Sequence, residues 1–297
     1  MAVRINHQSG VCVRVKGGLG NQLFIYAAGR RLAHKNGLAL WLDTESGYKQ
    51  DNFGRKSVLN GFRIAAQQAP RGSFYVSASR LRRLLIRRLN RKIPIAWRTY
   101  VEQCSNEFIP EILSLSVRRN LYLDGYWQSD LYFADVANTV RTELTVVQPT
   151  DSDNEHWLRK ITSSEAVAVH CRRQQISQTL SEKYYSDALR IIQTRVHNPE
   201  FFVFSDDSDW ARSNLRLPGP TSYIEHNRGA GGELADFRLM CACRHFIIAN
   251  SSFSWWGAWL GTADGKQVIA PEPFNHWGAG RMLPSSWTLI PFTRDKT

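Results

Sequence analysis

The stretch from Val11 to Asp43 restricts the fold of this chain more than any other. Val11 to Val15 is an apolar run of strand character, and Gly17-Gly18-Leu19-Gly20 follows as a tight turn. Leu23, Phe24, Ala27, Ala28 and Leu32 then recur at helical spacing. Gly37 ends that helix, and Leu38 to Leu42 is a second strand that closes on Asp43. A strand, a helix and a strand joined by short turns predict a βαβ unit, which implies parallel strands. The chain is therefore expected to be α/β.

The same alternation returns in the second half. Ala166 to Val169, Phe201 to Phe204, Phe246 to Ala249 and Val268 to Ala270 read as strands. Glu182 to Val196 reads as an amphipathic helix with Tyr185, Ala188, Leu189 and Ile192 on its apolar face. Gln148 to Glu155 is polar, contains Pro149 and reads as a linker or surface loop, so the domain boundary is expected there. That gives domains over residues 1–150 and 151–297, each large enough for its own core.

Between Gly47 and Asn120 the pattern is less legible, with one exception. Over Ser79 to Lys92, Leu81, Leu84, Leu85 and Leu89 fall on one helix face, ringed by Arg82, Arg83, Arg87, Arg88, Arg91 and Lys92. A basic amphipathic helix of this kind suits either a solvated domain surface or peripheral contact with an anionic membrane.

The formal charge is +12, which favours anionic partners: nucleic acid, acidic lipid or phosphorylated small molecules. The five cysteines are odd in number and irregular in spacing, so buried thiols in a reducing compartment are expected rather than a disulfide framework. Met1 to Gly10 lacks the apolar core of a signal peptide, and the chain contains no 18-residue apolar run. A cytoplasmic protein is expected, with the inner membrane surface as the place of any peripheral contact.

Ligands of open parallel sheets bind beyond the carboxyl ends of the strands. Three of the strands predicted in the second half run into polar clusters at that end. His170-Cys171-Arg172-Arg173 places two guanidinium groups where they can match phosphate oxygens. Ser205-Asp206-Asp207-Ser208-Asp209 offers a carboxylate for a base edge or a ribose, or a helix cap before Trp210. Its Asp207-Ser208-Asp209 also satisfies a D-x-D metal pattern, which is too short to be specific. Asn250-Ser251-Ser252-Phe253-Ser254 sets serines at the start of a helix, a place suited to an anion. Together the three predict a nucleotide diphosphate site. In the first half, Gly18-Leu19-Gly20 begins a dinucleotide-binding fingerprint with Asp43 as the ribose acid, but Leu23 replaces its third glycine.

These segments resemble the motifs of the family 11 glycosyltransferases, the α-1,2-fucosyltransferases. The resemblance rests on Gly17-Gly18-Leu19-Gly20-Asn21-Gln22-Leu23-Phe24-Ile25-Tyr26-Ala27, on His170-Cys171-Arg172-Arg173, on Phe204-Ser205-Asp206-Asp207 and on Leu239-Met240. The longest motif runs from Ala249 through Ser251, Ser252, Ser254, Trp255 and Trp256 to Leu260. The resemblance implies a GT-B arrangement, two facing Rossmann-like domains, with an N-terminal acceptor-side domain and a C-terminal domain for the GDP-sugar. It implies inverting transfer of L-fucose from GDP-fucose to a glycan or galactoside acceptor, O2 of a terminal β-galactoside, without metal or other cofactor and without nucleic acid as partner.

By position, Arg172 would contact the donor diphosphate, joined by Arg173, Ser251, Ser252 and Ser254. Asp206 would read guanine with His170 nearby, and Asn21 and Gln22 would face the reaction. The family continues its arginine pair with Gly-Asp, where this chain has Gln174-Gln175. Rival expectations are a metal-dependent transferase using Asp207 and Asp209, a dinucleotide oxidoreductase at the Gly18 turn, and a nucleic-acid-binding protein.

Overall fold

The computed structural model describes residues 9–76, 78–105, 107–118, 120–174, 179–229, 231–274 and 282–292. Met1 to Gln8 and Gln175 therefore lie outside the described residues. The chain divides into two compact units, the first reaching to Thr145 and the second beginning at Val146.

The first unit holds strands β1 (Gly10–Arg14), β2 (Ala39–Asp43), β3 (Gln67–Gln68), β4 (Tyr100–Glu102) and β5 (Asn120–Asp124). Its helices are α1 (Leu19–Lys35), α2 (Arg80–Arg91), α3 (Glu111–Ser114) and α4 (Ala137–Glu143). The sheet order is β3-β2-β1-β5-β4, and every pairing is parallel. The βαβ unit stands where the glycine turn predicts it. Gly17 takes φ +77, a conformation open to glycine at little cost, and Gly18 caps α1. Because Leu23, Phe24, Ile25, Tyr26 and Ala27 are all fully buried, α1 is covered on more than one face.

Helix α2 follows its expected span and is capped by Ser79, whose hydroxyl accepts from the Arg82 N–H at 3.2 Å. It packs inside out. Arg83 points into the unit, where it donates to Tyr122 Oη at 3.0 Å and lies 3.6 Å from Asp43. Leu81, Leu84, Leu85 and Leu89 stay exposed.

The second unit holds β6 (Glu165–Cys171), β7 (Pro199–Ser205), β8 (Thr221–Ile224), β9 (His245–Ile247), β10 (Val268–Glu272) and β11 (Thr288–Pro291). Its helices are α5 (Ser152–Thr162), α6 (Glu182–Arg195), α7 (Ser208–Asn214), α8 (Gly232–Cys241) and α9 (Ser252–Leu260). The sheet is parallel throughout, in the order β11-β10-β9-β6-β7-β8. Val167, Val169, Phe201, Val203 and Ile247 from the strands meet Tyr184, Tyr185, Ala188 and Ile192 of α6 in the core.

Two expectations need correction. Gln148 to Glu155 is not a loop throughout: Asp151 accepts from the Asn154 N–H at 2.8 Å and starts α5 at Ser152. An acidic cap ahead of a polar first turn has the composition of a linker, so the two are easily confused. The cysteines are all free, but Cys104 is exposed and Cys241 only partly buried. Among the described residues, no helix is long and apolar enough to cross a membrane.

Candidate functional site

Chain order and strand order disagree at one place in the second sheet. From β6 the chain steps outward to β7 and β8, then returns to lay β9 on the other side of β6. The loops leaving β6 and β9 therefore diverge, and their divergence opens a crevice at the strands' carboxyl ends. The loop after β6 carries Arg172 and Arg173, and the turn after β9 carries Asn250 and Ser251. His170, next to last on β6, ties the two sides together: its Nδ1 lies 2.8 Å from Ser254 Oγ.

Burial and the nearby Arg172 charge hold the His170 ring neutral, with its pKa pulled down to about 3. A neutral ring adds no charge of its own beside Arg172. Ser251 caps α9, accepting from the Phe253 N–H at 3.4 Å, and Ser254 Oγ reaches back to the Ser251 carbonyl at 3.3 Å. Ser254 is fully buried, whereas Ser251 and Ser252 are half-buried at the amino end of the helix. There the first N–H groups and the helix dipole favour an anion.

The acidic cluster is placed otherwise than expected. The Asp206 carboxylate accepts from the Arg173 N–H at 2.7 Å and the Gln174 N–H at 3.0 Å, and Arg172 Nε lies 3.2 Å away. Three donors occupy the group that was expected to read guanine, so its evident task is to pin the arginine loop to the end of β7. Gln174 adds a bond from its side-chain amide to the Asp206 carbonyl at 2.9 Å. Arg173 turns away from the crevice and lays its guanidinium over the Trp210 ring, 4.0 Å from the centroid, while donating to the Leu180 carbonyl at 3.2 Å. It holds the loop, whereas the Arg172 side chain stays 32% exposed beside Asp206. Asp207 caps α7 by accepting from the Trp210 N–H at 3.0 Å, so the D-x-D pattern is a helix start. Among the described residues, no cluster of three or more metal-binding side chains occurs.

In the first unit, Gln22 also departs from expectation. It is buried, and its amide bonds the Gly17 carbonyl at 3.1 Å, the Lys56 carbonyl at 3.0 Å and the Val58 N–H at 2.9 Å. It is a brace for the turn. Asn21, half-buried one position earlier, accepts from Gln128 Nε2 at 2.7 Å.

Asp43 is fully buried against Ser46, Tyr122 and Arg83, which removes it as the ribose acid. Asp124 ends β5 and is likewise enclosed. Burial pushes its carboxyl up, but Lys16 at 2.7 Å and Arg14 at 3.1 Å overcome that and hold it down to about 2.

The segment Gly125–Ser129 escaped the reading of the sequence, although its signal was available. Asn120 to Asp124 is a short apolar-aromatic run closed by Asp-Gly, a pattern for a strand and its exit turn.

The model of "Glycosyl transferase family 11" matches residues 94–280. This chain belongs to glycosyltransferase family 11. Among the relatives of this family 11 chain is an α-1,2-colitosyltransferase of Escherichia coli, 31% identical across 94% of this chain and 98% of that protein. A galactoside 2-α-L-fucosyltransferase, SEC1 of Bos taurus, is 23% identical across 84% of this chain and 63% of its own length. Of the solved structures, a GDP complex of an Arabidopsis thaliana FUT1 mutant superposes with a TM-score of 0.55 at 12% identity, covering 90% of this chain and 72% of that one. At that identity the likeness concerns the fold, which is α/β of the GT-B type with two parallel sheets.

Proposed function

We propose that this family 11 glycosyltransferase moves L-fucose from GDP-fucose, with inversion and without a metal ion, to O2 of a terminal β-galactoside. One observation carries the donor half of this reading. Arg172 and the amino end of α9 flank the crevice between β6 and β9, joined through His170 and Ser254 at 2.8 Å. A guanidinium and a helix amino end are both suited to a diphosphate.

The acceptor hydroxyl oxygen attacks the anomeric carbon as the bond to the diphosphate breaks, GDP departs, and the hydroxyl proton passes to water or to the departing diphosphate. The charge that builds on the leaving oxygen is met by groups already in place, which is where most of the acceleration in such a reaction arises. Asp206 positions Arg172, and Arg173 fixes the loop on Trp210. The acceptor belongs, in this reading, to the first unit. A second donor is favoured by the 31% identity to a colitosyltransferase: colitose in place of fucose.

The test is incubation with GDP-fucose or GDP-colitose, a panel of β-galactosides and EDTA, followed by linkage analysis. An α-1,2-fucosylated product that forms equally well with EDTA is expected. A product made only from GDP-colitose overturns the donor, and abolition by EDTA overturns the metal-free mechanism.

The exposed face of α2 supports a further part of the proposal, peripheral contact with an anionic membrane. Leu81 and Leu89 are 69% and 65% exposed, and Trp97 a little beyond the helix is 79% exposed. Arg82, Arg88 and Lys92 are exposed on or beside the same helix, whereas Arg87 and Arg91 pair with Glu102. Apolar side chains framed by cations match an anionic bilayer surface in both chemistry and charge.

A further inference from the structure

The first sheet has a switch point of its own. The chain runs outward from β1 through β2 to β3, then crosses to β4 at the far edge and returns to place β5 against β1. The loops leaving β1 and β5 diverge, which by the geometry of parallel sheets opens a second crevice, here between Lys16–Asn21 on one side and Gly125–Gln128 on the other.

The β5 side of that crevice is held in an unusual conformation. Trp127 has φ +53, in the left-handed region that bulky residues rarely adopt. The surroundings enforce it. Gln103 Oε1 accepts from the Tyr126 N–H at 3.1 Å and from the Trp127 N–H at 2.8 Å, and the Ser129 N–H closes on the Trp127 carbonyl at 2.8 Å. Gly125 leaves no slack, since a Cβ there would stand 2.5 Å from Gln103 Cβ and 2.9 Å from the Trp127 ring. The Trp127 side chain is wholly buried, edge-on to Tyr132 at 5.5 Å. Strain so firmly enforced tends to mark a place where side chains must be aimed.

With Trp127 turned in, Tyr126 and Gln128 on either side of it are half-buried. The Lys16 ammonium sits 4.9 Å from the centroid of the Tyr126 ring, and Gln128 bonds Asn21 across the crevice at 2.7 Å. At its floor Asp124 takes both Lys16 and Arg14, which leaves one positive charge in excess. Beside that charge the crevice offers a ligand an aromatic ring and a pair of carboxamides. Two carboxamides joined by one hydrogen bond retain capacity both to donate and to accept. An aromatic face beside neutral groups of both kinds suits a sugar ring, which has an apolar face and a rim of hydroxyls.

We propose that the crevice between the carboxyl ends of β1 and β5 is the acceptor-sugar subsite, with Tyr126 as the ring on which the sugar stacks and the Asn21–Gln128 pair as its hydroxyl partner. The proposal rests on the transferase reading above and adds the residues that choose the acceptor.

The test is titration of the full chain, saturated with GDP, with methyl β-D-galactoside and lactose, followed by saturation-transfer NMR. GDP affinity is measured separately by calorimetry, and folding by circular dichroism. Tyr126→Ala and Gln128→Ala are each expected to weaken galactoside binding by about tenfold, the scale of one lost aromatic or paired polar contact. GDP affinity should not change, and Tyr126→Phe, which keeps the ring, should bind as the wild type does. The subsite is overturned if both alanine variants bind galactoside normally, or if the wild type binds neither sugar. Failure of the wild type to bind GDP overturns the donor reading instead, and the galactoside titration without GDP then decides the subsite by itself.

Discussion

At the scale of single residues, the proposed site separates a group assigned to the donor from groups that hold its loop. In the proposed site Arg172 would meet the donor diphosphate, while Arg173, Asp206 and Gln174 fix the loop that carries it. Arg172→Ala should lower kcat by about 10² or more, the scale of removing one preorganised charge-stabilising group. Turnover of GDP-fucose by steady-state kinetics checks this, and a rate within a few-fold of wild type removes Arg172 from the mechanism.

His170 carries a prediction about pH. Burial, aided by Arg172, lowers its folded pKa from the ordinary 6.5 to about 3. The unfolded chain therefore binds a proton that the folded chain refuses. The stability contributed by the neutral ring is complete above pH 6.5 and declines as pH falls toward 3, by about 1.4 kcal/mol per unit. Urea unfolding of wild type and His170→Asn between pH 7 and 4.5 should show the variant losing less stability on acidification. Parallel curves would mean that the ring titrates normally.

At the scale of elements, α1 and α2 illustrate two uses of one secondary structure. Helix α1 buries Leu23, Phe24, Ile25 and Tyr26 and lies against β1 and β2 as the crossover of the βαβ unit. Helix α2 buries an arginine and exposes leucines, an arrangement that isolated folding does not favour. If that face meets a bilayer, the chain should cosediment with vesicles containing phosphatidylglycerol and not with neutral phosphatidylcholine vesicles. Leu85→Gln with Leu89→Gln should reduce that binding by about tenfold or more, given the worth of burying one leucine. Equal binding by the double variant sinks the assignment, as would a change from dimer to monomer in light scattering, which would make the face a contact between copies.

At the scale of the whole molecule, each unit is a parallel sheet with its own switch point, one between β6 and β9 and one between β1 and β5. Much of this was legible in the chain. The βαβ unit, the strands β6, β7, β9 and β10, and helices α2 and α6 follow from apolar period and turn residues, because those patterns are set by local geometry. Strands β3, β4, β8 and β11 were not legible, being runs of two to four residues at the sheet edges, too short to show a period. Strand β5 was missed for want of following its Asp-Gly exit.

The sequence by itself determined the α/β class, the family and the motifs that end at strand tips, since motif spacing and periodicity are properties of the chain. Only the tertiary structure decided which members of those motifs are engaged by distant parts of the fold. Asp206, Gln22 and Asp43 have the same chemistry whether free or occupied, and their occupants lie 32, 34 and 40 residues away at the nearest distant contact in each case. Whether a polar side chain is spent on the fold or left for a substrate depends on such long-range partners, and those are fixed only when the strands take their order in the sheet.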